Sequence, residues 1–429
     1  MKRNIIIFIE VLVLVLVIGF GAMFAYITVT GRSSIGSNKK KRDTNEKVVA
    51  LVEELNEEST AAQDATGDSG SEAGSEGRYS DILSNPEVLK ENKIYPMEAA
   101  SEDSIRLLFA GDVGFADGYA ILGNIKARGG NIDSAFDADT LEYMRSADIF
   151  MINNEFTFTD RGVPIEEKTY TFRCSPEFSR FYKDMGVDIV SLANNHVYDF
   201  GEVSLTDTID TLNNCDVAFV GAGVNKSEAM KPAYFIVNDT CISIVSATQI
   251  ERVDNPDTKG ATDMTPGTFR CWYDDTVVEV VKEAKAHSDY CIAYIHWGTE
   301  LEEAPDWAQL ELAPKLAEAG ADAIIGDYPH ILQRIDYIGD TPVIYSMGNY
   351  LFNSKTLDTG LMELSINIGD GSLGARFVPC IQSGCHTSLA TGTEKTRILS
   401  YLSSISPGVS IDEDGWISKR EFRKAVVDD

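Results

Sequence analysis

From Arg106 onward the chain alternates short apolar runs with amphipathic helical stretches, and this alternation limits the fold more than any other feature. Arg106-Leu-Leu-Phe-Ala-Gly, Asp148-Ile-Phe-Met-Ile-Asn, Asp188-Ile-Val-Ser-Leu-Ala and Ile242-Ser-Ile-Val-Ser-Ala read as buried strands. Tyr290-Cys-Ile-Ala-Tyr-Ile, Ala323-Ile-Ile-Gly and Pro342-Val-Ile-Tyr-Ser-Met read the same way. Helical stretches lie between several of them: Pro176 to Met185, Leu205 to Asn213 and Trp307 to Ala319. Strand and helix in turn are the signature of an α/β domain.

The polar residues sit where the apolar runs stop. Asp112 follows the first run, and Asn153-Asn154-Glu155, Asn194-Asn195-His196, His296-Trp297-Gly298 and Gly326-Asp327-Tyr328-Pro329-His330 follow others. In α/β sheets ligands bind beyond the carboxyl ends of strands, so five strand ends direct Asp, Glu, Asn and His to one edge. Of the five histidines, His196, His296 and His330 hold such positions, whereas His287 and His386 do not. One histidine after a strand is usually structural. Three, joined by carboxylates from other strand ends, point to a metal centre. Oxygen and imidazole donors without thiolates suit zinc, manganese or iron. Two divalent ions about 3.5–4 Å apart would polarise a phosphoryl or carbonyl oxygen and generate a hydroxide nucleophile. Asp112, Glu155, His196 and His296 are then the candidate catalytic residues. Asn195 offers a neutral amide oxygen, and Glu155 or Asp112 is placed to bridge two ions or act as general base.

Composition narrows the function. With 37 Lys+Arg against 67 Asp+Glu, the 429-residue chain carries a formal charge of −30. That argues against non-specific nucleic-acid binding, which needs a basic face. The cysteine count, 7, is odd and no C-x-x-C occurs, which disfavours zinc fingers and thioredoxin-type chemistry. Cys380 and Cys385 are close enough in sequence to bridge in an oxidising compartment, although buried thiols are the commoner outcome. There is no phosphate-loop motif and no G-x-S-x-G elbow. Ser410 to Glu421 has the spacing of a calcium loop, but Ser410 opens it and Pro407-Gly408 precedes it, so an acidic β-turn is the preferred reading.

The N-terminal part has a different character. Val11 to Thr30 is apolar and long enough to span a membrane, with Glu10 near one interface. Residues 1–31 are therefore read as a cytoplasmic tip and a transmembrane anchor, in preference to a cleaved signal peptide. Residues 32–103 form an acidic Ser/Gly-rich linker, with a short amphipathic stretch from Thr44 to Glu58. Residues 104–390 make the main domain, and 391–429 a C-terminal extension packing on it. Arg32 and Lys39-Lys40-Lys41-Arg42 oppose export by the positive-inside rule, which weakens for large translocated domains. An extracytoplasmic domain on a single-pass anchor is the expectation.

Five spaced blocks carry a family resemblance. Phe181 to Gly201, with its core Gly186-Val-Asp-Ile-Val-Ser-Leu-Ala-Asn-Asn-His-Val-Tyr-Asp-Phe-Gly, closely resembles the CapA family, associated with poly-γ-glutamate capsule synthesis. Ala110-Gly-Asp-Val-Gly, Asn153-Asn-Glu, His296-Trp-Gly-Thr-Glu and Tyr345-Ser-Met-Gly-Asn-Tyr are similar to its other blocks, in the same order. The resemblance implies a calcineurin-like metallophosphoesterase fold, an αββα sandwich with ligands on strand-end loops. It maps Asp112, Glu155, Asn195, His196, His296 and His330 onto metal-ligand positions. It places Arg173, Glu300 and Asn349 in matching segments as substrate-binding candidates, and Asp199 beside His196. Its members are commonly anchored at the bacterial cell surface. An anionic polymer such as poly-γ-glutamate and membrane-embedded biosynthesis subunits are the implied partners. The chain departs from the family at Asp327-Tyr328, where the pattern usually reads Gly-His-His-Pro-His. Asp327 there is a hard oxygen donor in place of an imidazole, or else the site holds one metal or none. Three functions follow: a metal-dependent hydrolase-type protein of polymer biosynthesis, a non-catalytic polymer-binding or synthase-partner subunit, and a plain phosphoesterase.

Overall fold

The computed structural model describes residues 77–250 and 259–420, and everything described from Tyr79 on belongs to a single unit. The apolar runs become the central strands of two sheets. The first runs β16 (Val409–Ile411), β17 (Trp416–Lys419), β14 (Leu373–Ser383), β13 (Leu357–Asn367), β2 (Ser104–Val113), β3 (Ile149–Asn154), β4 (Ile189–Ser191) and β5 (Ala218–Val220). Beside these, β12 (Asn349–Leu351) pairs with the end of β2, and β15 (His386–Leu389) pairs with β14. The second sheet runs β1 (Ile94–Met97), β6 (Ala233–Val237), β7 (Thr240–Thr248), β8 (Tyr290–His296), β9 (Ala323–Asp327), β11 (Thr341–Ile344) and β10 (Ile335–Ile338). Strands β2 to β5 are mutually parallel, as are β7, β8, β9 and β11.

Alternation along each strand explains the layers. In β2, Ile105, Leu107 and Phe109 face the second sheet, while Leu108 and Ala110 face helices on the outside. In β8, Ile292 and Tyr294 face inward, and Cys291, Ala293 and Ile295 face outward. A strand buried on both faces reads as one apolar run, which is why these segments stood out in the sequence. Helices α1 (Ala120–Ala127), α2 (Ala138–Arg145), α3 (Arg180–Met185) and α4 (Glu202–Asn214) cover the first sheet. Helices α5 (Asp275–Ala286) and α6 (Trp307–Glu318) cover the second. The result is a mixed α/β sandwich of helices, sheet, sheet and helices. Its C-terminal segment is woven into it. Ile398, Leu399 and Leu402 of α7 (Gly392–Ile405) lie in the inter-sheet core, and β17 pairs with β14.

Several sequence expectations take a definite form here. Val409–Ile411 and Trp416–Lys419 make an antiparallel hairpin, and Asp412 Oδ1 accepts the Asp414 and Trp416 amides within its turn. That is the acidic β-turn; Glu421 lies outside the described residues. Cys380 and Cys385 are both free thiols and do not bridge. Among the described residues no helix is long and apolar enough to cross a membrane. The proposed anchor and the Thr44 to Glu58 stretch lie outside the described residues.

At the edge where the parallel strands begin, a repeated device locks the sheets. Asp148 accepts the amides of Ala100 and Arg106, each at 2.7 Å. Asp188 accepts Phe150 N at 2.8 Å, Asp289 accepts Cys241 N at 2.8 Å, and Asp322 accepts Cys291 N at 2.7 Å. Each carboxylate precedes one strand and ties down its neighbour, supplying an acceptor that the ladder lacks at its end.

Asp188 makes this device testable. Burial, with the Asp148 charge adding to it and the Phe150 amide opposing, pushes its carboxyl up from 3.8 to about 6. Between those values the native state binds more protons than the unfolded chain, so stability falls as pH rises through that window and stays reduced above it. Asp188→Asn keeps an acceptor for Phe150 and removes the penalty. Urea unfolding is expected to show a gain of about 1–3 kcal/mol at neutral pH and none below the ordinary Asp range.

Candidate metal centre

The site begins with a kink. Residues Leu107 to Phe109 of β2 pair regularly with β3, but the register then shifts so that Asp112 faces Asn153. Such a bulge re-aims the side chain that follows it. On its other side Asp112 faces Asn349 of β12. Gly111 permits this crowding, because a Cβ there would lie 2.0 Å from the Gly348 carbonyl oxygen. Asp112 is thereby held, fully buried, where the two sheets meet at the carboxyl ends of their strands.

Around it the other strand ends converge. Asp112 Oδ1 accepts Asn153 Nδ2 at 2.9 Å, and Oδ2 pairs with His330 Nδ1 at 2.9 Å. Asn153 Nδ2 also lies 3.3 Å from Glu155 Oε2 and 3.4 Å from His296 Nδ1. One amide nitrogen with two hydrogens thus faces two carboxyl oxygens and, in the Nε2–H tautomer, a third acceptor at His296 Nδ1. Asn194 steadies it, donating to Asn153 Oδ1 and to the Asn154 carbonyl. His296 Nδ1 lies 3.0 Å from Asp327 Oδ1, and its Nε2 lies 3.2 Å from Asn195 Oδ1. In the tautomer that donates Nδ1–H to Asp327, Nε2 and Asn195 Oδ1 face each other as two lone pairs. His330 reaches Asp112 from a left-handed backbone at φ 61, and Tyr328 beside it has φ 91. Non-glycine residues held so cost of order 1–3 kcal/mol each and gather at functional sites.

His196 is held from behind. Its Nδ1 pairs with Asp199 Oδ2 at 2.7 Å, which leaves Nε2 facing Glu155 Oε1 at 3.9 Å. Asp199 also accepts the Phe172 amide and Lys168 Nζ, each at 2.7 Å. Lys168 donates in addition to the Asn195 carbonyl. Phe172 stacks on the imidazole with ring centroids 4.3 Å apart.

The electrostatics follow from burial. Asp112, Glu155 and Asp327 are three carboxyls at 0% exposure. Burial raises the Asp112 carboxyl, but the His330 hydrogen bond with the His330 and His296 charges outweighs it and holds the group below its ordinary value. Burial, and then the charges of Asp112 and Asp327, push Glu155 well above its usual range. Burial and the Asp112 charge do the same to Asp327. Burial drives His296 down to about 3 and lowers His196 against the pull of Asp199. For His330 the Asp112 bond and charge overcome burial and raise it.

These residues fit a divalent cation. Asp112, Glu155 and His330 present donor atoms within 4.8 Å of one another, as do Asp112, His296 and Asp327. The two groups share Asp112. Glu155 Oε1, Asp327 Oδ2 and Asn349 Oδ1 are buried without a hydrogen-bond partner. Buried oxygens of that kind carry a desolvation cost that a bound ion removes.

A family model described as bacterial capsule synthesis protein PGA_cap matches residues 106–354, more than half of the chain. The chain belongs to that family. Every candidate site residue from Asp112 to Asn349 falls within the match, whereas β13 and β14 lie beyond it. The chain is 31% identical over 203 residues to the PGA biosynthesis protein CapA of Bacillus subtilis (strain 168), covering 46% of this chain and 52% of that protein. It is 27% identical over 247 residues to the capsule biosynthesis protein CapA of Bacillus anthracis, covering 55% and 58%. It therefore spans little more than half the length of these relatives. A solved structure of 5'-nucleotidase from Candida albicans SC5314 overlaps 66% of this chain and 53% of that one, with a TM-score of 0.37 and 11% identity.

Of the residues read from the sequence, Asp112, Glu155, Asn195, His296, His330 and Asn349 come together in this network. His196 is near it but in neither donor group. Exposed Glu300 touches it through the Tyr328 hydroxyl, at 3.1 Å. Arg173 stacks 4.6 Å over Phe200, and among its described contacts none reaches the others. The sequence reading missed Lys168, whose only local signal is a lysine behind Glu166-Glu167.

A linked pH dependence follows. In the unfolded chain Glu155 and Asp327 titrate near 4.5 and 3.8, and the native state holds both protons more tightly. Stability of cation-free protein should therefore fall as pH rises above the ordinary carboxylate range. Added divalent metal should raise the Tm most at the alkaline end, and Glu155→Gln should flatten the profile. A pH-independent Tm in chelator-treated wild type would contradict this assignment.

Proposed function

We propose that this chain is a metal-dependent hydrolase-type protein of poly-γ-glutamate capsule biosynthesis, on a metallophosphoesterase-like αββα sandwich. One observation carries the reading: two donor groups joined through Asp112, with buried Glu155 and Asp327 oxygens left unpartnered. The names of the relatives from the two Bacillus species support the polymer. Asp112, Glu155, His296, Asp327 and His330 would hold the ion, with Asn195 adding an amide oxygen. A divalent cation there supplies Lewis-acid polarisation of a phosphoryl or carbonyl oxygen and activates water. Two such ions against three carboxylates would make the centre net positive, a local sink for anionic substrate in a chain of charge −30.

His196 is the proton-transfer residue of this proposal. Asp199 accepts its Nδ1–H, so Nε2 carries the lone pair, which would take a proton from the attacking water and then hand it to a leaving amine or alkoxide. Lys168 holds Asp199 and the Asn195 carbonyl together, so it positions the imidazole without touching the reacting atoms. Phe172 shields one face of the ring from water.

A second reading, a non-catalytic polymer-binding or synthase-partner subunit, is favoured by one fact. In the tautomer that donates Nε2–H to Asn195, Nδ1 accepts from Asn153 Nδ2 or from protonated Asp327, so both His296 nitrogens are satisfied within the protein. From the sequence alone we further propose that the apolar N-terminal segment tethers the domain to the cell membrane, outside the cytoplasm and beside membrane-embedded biosynthesis subunits. Labelling of stalk cysteines from outside intact cells tests this, and no labelling at any engineered site would refute it.

Elemental analysis separates the two site readings. Purified wild type is expected to hold roughly one to two divalent ions per chain, with metal lost in Asn195→Ala. Hydrolysis of γ-glutamyl oligomers or a phosphoester should fall about 10²–10⁴-fold in His196→Gln and about 10–100-fold in Lys168→Met. Metal-free wild type that still binds polyglutamate would establish the subunit reading instead.

A further inference from the structure

The donor set at the strand ends is rich in oxygen. Each group pairs two carboxylates with one imidazole, and no cysteine belongs to either. Asn195 and Asn349 add amide oxygens at the same place, the latter buried and unpartnered. Asp327 matters most for this balance. It ends β9 in register with His296 at the end of β8, so its carboxyl enters the centre beside that imidazole. Its Oδ1 engages His296 at 3.0 Å, while Oδ2 is fully buried and has no partner. The backbone turns sharply straight after it, with Tyr328 at φ 91, which fixes where the carboxyl points.

Carboxylate and amide oxygens suit magnesium and manganese, whereas imidazole suits zinc, iron and nickel. At any nitrogen and oxygen site zinc still binds more tightly than manganese in absolute terms, so a donor set shows its preference as a shift in their ratio. We propose that this centre is biased toward a hard divalent ion of the manganese class over zinc, and that Asp327 sets the bias. The inference rests on the metal reading given above. It adds the class of ion and the residue that selects it. An imidazole in place of Asp327 would remove one of the three carboxylates and add a third nitrogen donor. Both changes move the site toward zinc.

The test uses the full-length chain, stripped with chelator and reloaded from equimolar Mn²⁺ and Zn²⁺, with bound metal counted by mass spectrometry. Manganese is followed independently by its electron paramagnetic resonance signal. Asp327→His is expected to raise the bound Zn:Mn ratio by about tenfold or more over wild type. Asp327→Asn, which keeps an oxygen but loses the charge, should weaken Mn²⁺ more than Zn²⁺. That second variant decides the matter should the histidine variant not fold. Metal bound by all three proteins in the same Zn:Mn ratio would overturn the inference and leave the metal reading standing. Wild type that takes up neither ion would overturn both.

Discussion

Three carboxyls buried within reach of one another are the constraint around which this molecule is arranged. Charges in a low-dielectric interior are costly unless they are paired, protonated or bound to a cation. Asp112 is paired, with His330 and the Asn153 amide. Glu155 and Asp327 are held toward the neutral form by burial and by their acidic neighbours. Much of the surrounding structure serves that arrangement: the bulge that turns Asp112, the asparagine relay from Asn194 to Asn153, and the strained loop that brings His330 across. Such a cluster costs stability in the cation-free protein.

The opposite edge of the same sheets shows what an acid gains where backbone donors are free. Asp148, Asp188, Asp289 and Asp322 also lie at strand ends, and each receives a backbone N–H. The amino ends of parallel strands offer free donors, so a carboxylate there completes the ladder. The carboxyl ends offer carbonyls, so an acid there finds no backbone donor and must look to side chains or an ion. One residue type thus braces one edge of the sandwich and leaves chemical demand at the other. The polarity of the parallel strands decides which.

Much of this was legible in the sequence for a physical reason. Strands buried on both faces carry apolar residues at every position, so β2, β3, β7, β8 and β9 announce themselves, and the polar residues that end them mark the site. The hairpin β13–β14 did not, since residues such as Asp358, Thr359, Gly360 and Glu363 break up its apolar pattern. Glu363 is nevertheless buried, neutralised by Arg106 at 3.0 Å. Lys168 was invisible for a related reason: its burial comes from a loop folding onto Asp199, which no local period encodes. Spacing alone also did not separate His196 from the members of the two donor groups. Its contact with Asp199 shows that it is held from behind, and it belongs to neither group.

The hairpin also defines what counts as a working piece of this protein. Strand β2 carries Asp112, and from Ser104 to Ala110 its outer neighbour is β13. A fragment trimmed to residues 106–354 would keep every candidate ligand and yet strip that neighbour away. The strand at the heart of the sandwich would become a long apolar rim, open to pairing with another molecule. Family boundaries drawn by sequence similarity are therefore poor guides to where this chain can be cut. The candidate site depends on a scaffold that lies downstream of it.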